Sequence, residues 1–192
     1  MEKIDITDHV EIRIYLPFES APESIIKPNQ QHGNNIVEIV TGEENLNDCD
    51  ALVTDKKGIE IGVGTADCAP ICFVGQDKVG IAHIGWRGLC LGLIEKMLEQ
   101  FNQGDIKIYV GPHINVFEIQ KDFCYGEIKE KFGTKFFMED NGKTFFRFTD
   151  AVLSLLPGDV ILDLRDTGKD VAFPSYRKNK TKERFITTVR FE

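Results

Sequence analysis

The chain has 192 residues, of which 42% are hydrophobic and 28% charged, enough for one domain with a sizeable core. Its 31 acidic residues outnumber 23 basic ones, and the net charge of −8 argues against a nucleic-acid partner or an anionic membrane surface, because either would be repelled. No basic segment followed by an apolar run begins the chain, and no apolar stretch is long enough to span a bilayer, so we expect a cytoplasmic protein.

The first half of the chain is dominated by predicted strands. Residues 10–18 alternate apolar and polar side chains, which is typical of a half-buried strand, and residues 19–30 indicate a connection. The motif GQD between 69–75 and 78–85 predicts a hairpin turn. The strands predicted in this half are 10–18, 34–40, 50–54, 59–67, 69–75 and 78–85.

Helical spacing begins after Gly88. Residues 89–101 place apolar side chains on one face and charged side chains on the other, which predicts a helix. Gly133 ends a second predicted helix, and Thr149 is the expected N-cap of a third. The elements predicted here are helices 89–101, 121–133 and 149–158, and strands 105–112, 159–164 and 183–192. Strands with helices between them, and no linker, predict a single domain over residues 1–192 of the α/β or α+β class.

Three residues able to bind a metal stand in turns or at the ends of predicted strands: His32, Cys68 and His83. Imidazole and thiolate suit zinc or copper, and three protein ligands leave a fourth position for water or substrate, as in catalytic zinc sites. On these residues alone a second interpretation stays open, in which His32 is a surface-turn residue and Cys68 and His83 belong to the core. The five cysteines are unevenly spaced, so we expect no disulfide framework.

Two basic features are candidates for binding an anion. Arg87 lies between Trp86 and Gly88 just before a predicted helix, where free backbone N–H groups and the helix dipole favour an anion. The alternative is that Arg87 stacks on Trp86 and pairs with an acid. Residues 174–185 carry five positive charges, and they fit either a solvated loop or the rim of a pocket for an anionic substrate.

Four motifs occur in a fixed order along the chain: QQHG, DALVT, TADCAPICF and AHIGWRG. In this order and spacing they resemble the family of multicopper polyphenol oxidases, or laccase-domain proteins, whose members are also described as purine nucleoside phosphorylases with adenosine deaminase activity. GPHI at 111–114 and SYR at 175–177 resemble later motifs of the same family. Several motifs in register are more specific than any one of them, so the chain is identified as a member of this family.

The resemblance implies a fold, a metal site and a class of substrate. The implied fold is a single domain with a mixed β-sheet core covered by helices, similar to that of cysteine hydrolases. The implied metal ligands are His32, Cys68 and His83, with zinc as the expected metal and copper as the alternative. The implied substrates are purine nucleosides (adenosine, inosine, guanosine and methylthioadenosine) together with phosphate, bound by a monomer or a homodimer.

The resemblance also suggests which residues contact the substrate. Phosphorolysis needs phosphate bound near the ribose C1′ atom, and Arg87 is the first candidate for this, with Arg177 second. Gln31 and Ser175, which belong to the matched motifs, are further candidates for substrate contacts.

The expected catalytic residues are Cys68, His83 and Asp67. In a zinc-dependent phosphorylase or deaminase the first two are metal ligands, and deamination needs metal-activated water to attack C6 of adenine. Asp67 orients a ligand or exchanges a proton, unless it is a structural hydrogen-bond acceptor. In the alternative of a metal-free cysteine hydrolase or deamidase, Cys68 is the nucleophile and His83 its base.

Parts of the family pattern are missing from this chain. The N-terminal T-T-R motif is absent, the cysteine-rich stretch after GPHI is replaced by NVFEIQ, and the end of the SYR motif lacks T-G. A shortened relative that binds a metal or a nucleotide without turnover is therefore a further hypothesis. A copper-dependent phenol oxidase is disfavoured, because resemblance to true laccases would imply many more histidines than the four present.

Overall fold

A mixed β-sheet with apolar residues at nearly every strand position lies at the centre of the fold. The computed structural model describes residues 1–101, 106–158 and 160–192. The strands in these ranges are β1 (Glu2–Thr7), β2 (Val10–Tyr15), β3 (Ile36–Glu38), β4 (Ala51–Thr54), β5 (Glu60–Thr65), β6 (Ala69–Val74), β7 (Val79–Ile84), β8 (Lys107–Val110), β9 (Val116–Ile119), β10 (Phe137–Asp140), β11 (Lys143–Arg147), β12 (Val160–Leu162) and β13 (Phe185–Phe191). The helices are α1 (Trp86–Cys90), α2 (Leu93–Leu98), α3 (Phe123–Phe132), α4 (Phe148–Leu153) and α5 (Tyr176–Asn179).

The strands form sheets of different size within the described ranges. The central sheet has the order β12-β8-β6-β7-β4-β3, with antiparallel inner pairs and a parallel strand at each edge. An antiparallel sheet of order β1-β2-β13-β5 lies on one side of it. A small antiparallel sheet, β10-β11-β9, lies with the helices on the other side.

Both faces of the central sheet are buried, because alternate residues of each strand enter different cores. In β6, Ile71 and Phe73 pack towards the helices and the small sheet, whereas Cys72 and Val74 pack towards the four-stranded sheet. A strand covered on both faces needs apolar side chains at every position, which accounts for the sequence APICFV. The predicted fold class, a mixed β-sheet core covered by helices, is confirmed by this layered arrangement.

Two of the local predictions are confirmed. The predicted hairpin of 69–75 and 78–85 is present as β6 and β7, which pair antiparallel with Val74 opposite Val79. The predicted helix 121–133 is present as α3, and the Asp122 carboxylate caps it by accepting hydrogen bonds from backbone N–H groups of its first turn.

Two helix predictions are wrong in detail. The helix predicted over 89–101 is two helices, since α1 begins at Trp86 and Gly92 separates it from α2 with a φ of +80°, a left-handed conformation that favours glycine. Thr149 is not an N-cap, because α4 begins at Phe148 and the N-cap is Arg147. The Thr149 hydroxyl instead lies 2.8 Å from the His113 ring nitrogen Nε2.

Several strands are absent from the predictions. The β10–β11 hairpin turns at Asn141-Gly142, where φ is +47° and +74°, and this pair of residues is itself a hairpin signal. β1 and β9 also lack a predicted counterpart. Asp105 and Asp159 begin two predicted strands but lie outside the described residues, and the following residues form β8 and β12. No helix within the described ranges is long and apolar enough to cross a membrane.

Close packing between β5 and β13 gives a prediction at Gly62. A Cβ atom there would lie 2.9 Å from Thr188 Cγ2 and 3.1 Å from the Thr187 carbonyl oxygen, so we expect Gly62→Ala to be destabilising. The free energy of unfolding should fall by about 1–3 kcal/mol, measured by urea titration. Gly126 in α3 is the matched control, because a Cβ there meets nothing within 4 Å. Gly126→Ala should raise the free energy of unfolding by about 0.5–1 kcal/mol, and equal effects at both positions would contradict this account.

Candidate metal centre

His32, Cys68 and His83 come from different segments and meet at one end of the β6–β7 hairpin. His32 lies in the loop between β2 and β3, Cys68 directly precedes β6, and the hairpin register places Pro70 opposite His83. The candidate ligand atoms of the three side chains all lie within 4.8 Å of one another. Because an ion about 2.0–2.3 Å from each donor needs donors less than about 5 Å apart, this trio can share one metal ion.

Glycines at the start of α1 make room for this cluster. A Cβ atom at Gly85 would lie 3.0 Å from His32 Cδ2 and 3.2 Å from Cys68 Sγ, so any larger residue would displace one of them. A Cβ atom at Gly88 would lie 3.0 Å from the Gly33 carbonyl oxygen. The GWRG motif therefore lets the first turn of α1 pack directly on the loop that carries His32.

The Asp50 carboxylate, which is fully buried, connects two of these segments. Its Oδ2 atom accepts hydrogen bonds from the backbone N–H groups of Gln31 (3.0 Å) and Gly33 (2.7 Å), and Oδ1 accepts one from that of His32 (2.9 Å). Oδ1 also lies 2.8 Å from Nδ1 of His83. Asp50 is not among the predicted site residues, although an acid at the start of the apolar DALVT motif is a signal that the sequence offers.

The segment that leads to His32 is also anchored along β5. The backbone of Ile26 bonds with Glu60 and Gly62, at 3.0 and 2.9 Å. The side-chain amide of Gln30 donates to the Gly64 carbonyl and accepts from the Gly64 N–H, both at 2.9 Å. His32 itself has a φ of +59°, which is uncommon for a residue other than glycine, so these anchors and Asp50 hold an unusual turn.

The pKa values of Cys68 and His83 favour a negatively charged thiolate beside a positively charged imidazolium. Burial by itself raises the pKa of Cys68, but the charge of His83 and the neighbouring His32 ring outweigh it and lower the pKa to about 6. Burial by itself lowers the pKa of His83, but the Cys68 thiolate and the Asp50 carboxylate outweigh it and raise the pKa to about 9. The thiolate, which is the nucleophilic and metal-binding form of cysteine, therefore prevails at neutral pH.

Asp67 adjoins Cys68 but faces other segments. Its carboxylate is buried and accepts hydrogen bonds from the Thr167 hydroxyl (3.0 Å), the Ser175 hydroxyl (2.6 Å) and the Arg177 backbone N–H (2.6 Å). Its φ of +91° is rare for a non-glycine residue. With three donors on the carboxylate, Asp67 has the contacts of a structural acceptor that holds residues 175–177 beside Cys68.

The Arg177 side chain lies over the ring of Phe117. Its guanidinium carbon is 3.6 Å from the centroid of the Phe117 ring, and Nη1 donates to the Glu118 carbonyl at 3.3 Å. Desolvation of the guanidinium lowers the pKa of Arg177, and the negative charges of Asp67 and Cys68 oppose this change. The link between Arg177 and the cluster is through its backbone, because its N–H bonds with Asp67, the neighbour of Cys68.

The two arginines suggested for phosphate binding line different cavities. Arg177 and Ser175 line a cavity of about 420 Å³. Arg87 is exposed, and with Gln31 and Gly33 it lines another of about 570 Å³ beside the His32 loop. The structure thus places Gln31 with Arg87, and Ser175 with Arg177.

Comparison with known proteins finds similar sequences named as purine nucleoside phosphorylases. The chain is 35% identical over 176 residues to the Aquifex aeolicus purine nucleoside phosphorylase, an alignment that covers 87% of this chain and 82% of that protein. It is 34% identical over 137 residues to the Escherichia coli purine nucleoside phosphorylase YfiH, covering 67% of this chain and 54% of that protein. The chain therefore spans most of the first relative and about half the length of the second.

Solved structures and a family model give the remaining comparisons. A Neisseria meningitidis protein aligns with a TM-score of 0.86 at 20% identity, covering 100% of this chain and 98% of that one. The Bacillus licheniformis hypothetical protein YfiH aligns with a TM-score of 0.78 at 22% identity, covering 88% of this chain and 74% of that one. Both show the same fold. The model of the family described as multi-copper polyphenol oxidoreductase laccase matches residues 10–192. This match confirms the resemblance found in the motifs, and the chain belongs to that family.

Proposed function

We propose that the chain is a zinc-dependent purine nucleoside phosphorylase, with adenosine deaminase and methylthioadenosine phosphorylase as further activities of the same site. The observation that carries this proposal is the meeting of His32, Cys68 and His83 within 4.8 Å, in a family whose relatives are named purine nucleoside phosphorylases. Its substrates would be a purine nucleoside and phosphate.

The residues of the trio fit zinc. Two imidazoles and one thiolate are a donor set suited to zinc or copper, and the lowered pKa of Cys68 supplies the thiolate near neutral pH. Zinc held by His32, Cys68 and His83 would supply a Lewis-acid charge beside the substrate. Copper is the alternative metal. A multi-copper centre lacks support, because the described residues bring together one such His/Cys group and the chain has four histidines.

Phosphorolysis requires the chain to hold phosphate against the ribose. A phosphate oxygen forms a bond to C1′ while the bond from C1′ to purine N9 breaks, and the purine leaves with the electron pair and takes up a proton. We assign phosphate to Arg177, since its backbone is held by Asp67, the neighbour of Cys68, and its fork geometry suits two phosphate oxygens. Arg87 and Gln31, which line the cavity beside the His32 loop, would then contact the part of the nucleoside that lies away from the phosphate.

The contacts of Asp67 favour positioning over proton exchange. Its carboxylate holds the Ser175 hydroxyl and the Arg177 backbone, so it would keep Arg177 in place for phosphate.

Methylthioadenosine phosphorolysis breaks the same kind of C1′–N9 bond and would use the same residues. Deamination would use water as the attacking group at C6 of adenine, where the bond to the exocyclic amino nitrogen breaks and ammonia leaves.

A metal-free cysteine hydrolase is the second candidate function, and one observation favours it. His83 lies next to Cys68 on one side and bonds with Asp50 through Nδ1 on the other, at 2.8 Å. This order of thiol, imidazole and carboxylate is the arrangement of a cysteine nucleophile, its base and the group that orients the base. Metal content distinguishes the two candidates.

The metal-dependent proposal predicts about one zinc per chain in freshly purified protein, measured by elemental mass spectrometry. Cys68→Ala should lose this zinc, because the thiolate is one of three ligands. Cys124→Ala is the matched control, since Cys124 is also a partly buried free thiol, and should keep it. Wild-type protein with neither zinc nor copper would reject the proposal and favour the cysteine hydrolase.

The charge separation predicts selective alkylation of metal-free protein. With a pKa of about 6, Cys68 should react with iodoacetamide at a rate that is constant at neutral pH and halves near pH 6, where the thiolate becomes protonated. Burial raises the pKa of Cys49 and Cys90 to about 11, so these thiols should react slowly at neutral pH. His83→Asn should move the Cys68 midpoint upwards. A wild-type midpoint near the ordinary value of about 8.5 would contradict the pairing.

The phosphate assignment predicts different kinetic effects of the two arginines. With inosine as substrate, hypoxanthine should be released in the presence of phosphate, and Arg177→Ala should raise the KM for phosphate by about tenfold or more, because charge-assisted hydrogen bonds are lost. Arg87→Ala is the matched comparison and should raise the KM for inosine instead. Release of hypoxanthine at the same rate without phosphate would show hydrolysis and reject phosphorolysis.

A further inference from the structure

We propose that Asp50 is a positioning residue that holds two of the three metal ligands at once, His83 through its side chain and His32 through its main chain, and thereby sets the metal affinity of the site. This inference rests on the proposed function in one respect, which is that the trio binds a metal. Neither the sequence motifs nor the family resemblance assigns a role to Asp50.

The contact with His83 selects the nitrogen that can bind a metal. Oδ1 of Asp50 lies 2.8 Å from Nδ1 of His83, and both side chains are buried. A carboxylate accepts hydrogen bonds, so Nδ1 carries a hydrogen and donates it. Nε2 is then the ring nitrogen left to face Cys68 and His32. A ligating histidine that donates its other N–H to a carboxylate is held in one tautomer and one ring orientation.

The contacts with the loop fix the second ligand. Three consecutive backbone N–H groups, those of Gln31, His32 and Gly33, point at the Asp50 carboxylate at 2.7–3.0 Å. Successive N–H groups around one anion form a concave anion-binding turn. His32 occupies a left-handed conformation in this turn, with a φ of +59°, so the direction of its side chain depends on the turn being held closed.

The hydrogen-bonding capacity of Asp50 is fully used by these groups. Each oxygen accepts from two donors: Oδ1 from His32 N–H and His83 Nδ1, and Oδ2 from Gln31 N–H and Gly33 N–H. An asparagine has the same shape but one accepting oxygen, and its NH₂ group would face two N–H donors. Asp50→Asn therefore breaks two of the four contacts, whichever way the amide is turned, while changing the volume of the side chain little.

The main chain of Asp50 ties it to the strand that carries His83. The Asp50 carbonyl accepts a hydrogen bond from the His83 N–H at 2.7 Å, and the Asp50 N–H donates to the Asn35 carbonyl at 3.0 Å. The carboxylate therefore extends from a backbone position that is itself fixed relative to β7. A rigid support of this kind is what a metal site needs if its ligands are to stay close to the geometry of the bound ion.

The test compares Asp50→Asn with Asp163→Asn. Asp163 is the matched control, because its largely buried carboxylate also accepts several hydrogen bonds, but from Tyr109 and Arg165. Zinc affinity is measured by competition with a chromophoric chelator, and ligand geometry by the absorption spectrum of the cobalt-substituted protein. We expect Asp50→Asn to weaken zinc binding by about 10–100-fold and to change the cobalt spectrum. Asp163→Asn should leave both unchanged even where it lowers the melting temperature.

A second measurement needs no variant, so it tests the contact between Asp50 and His83 even if Asp50→Asn does not fold. In ¹⁵N-histidine NMR spectra of the zinc-loaded wild-type protein, His83 should carry its proton on Nδ1 and bind metal through Nε2. The reverse assignment would overturn the inference. Wild-type affinity in Asp50→Asn would overturn the role of Asp50 and leave the proposed function intact. Wild-type protein that binds neither zinc nor cobalt would reject the proposed function itself.

Discussion

The register of β6 against β7 puts Pro70 opposite His83, with Cys68 two residues before Pro70 at the same end of the hairpin. By the alternation of strand side chains, His83 shares a face with Ile81, which packs towards the four-stranded sheet. A shift of one residue would turn His83 to the face where Ala82 and Ile84 pack under the helices, and it would leave Asp50 behind. The two apolar cores that fix this register therefore also fix the geometry of the candidate metal centre.

Much of the fold could be predicted from the sequence where periodicity and burial agree. The β6–β7 hairpin follows from two apolar runs on either side of a turn, and the end of α3 follows from Gly133. Prediction failed where a single backbone conformation or a distant partner decides the outcome. Gly92 divides an otherwise continuous helical pattern by its left-handed conformation, and Thr149 bonds with His113 instead of capping α4.

The residues of the candidate site also differ in how far they could be predicted from the sequence. His32, Cys68 and His83 could be predicted, because their ligand chemistry and the surrounding motifs are visible in the sequence. The placement of the acids could not, because an acid beside an apolar strand gives no sign of which segments will meet it. Asp50 is met by residues 31–33 and by His83, and Asp67 by partners 100 to 110 residues further along the chain. Two buried carboxylates thus hold the loops around the cluster, each by collecting hydrogen bonds from more than one segment.

The hydrogen bonds that anchor the His32 segment on β5 also affect the tendency of the protein to self-associate. β5 is the outer strand of its sheet, and the free peptide groups of an outer strand are a template for pairing with another molecule. Here the Ile26 backbone occupies groups of Glu60 and Gly62, and the Gln30 side chain occupies both groups of Gly64. The same stretch of chain therefore positions His32, a candidate metal ligand, and blocks the sheet edge. Loosening residues 26–32 would therefore both disturb the candidate metal centre and expose a sheet edge to pairing with another copy.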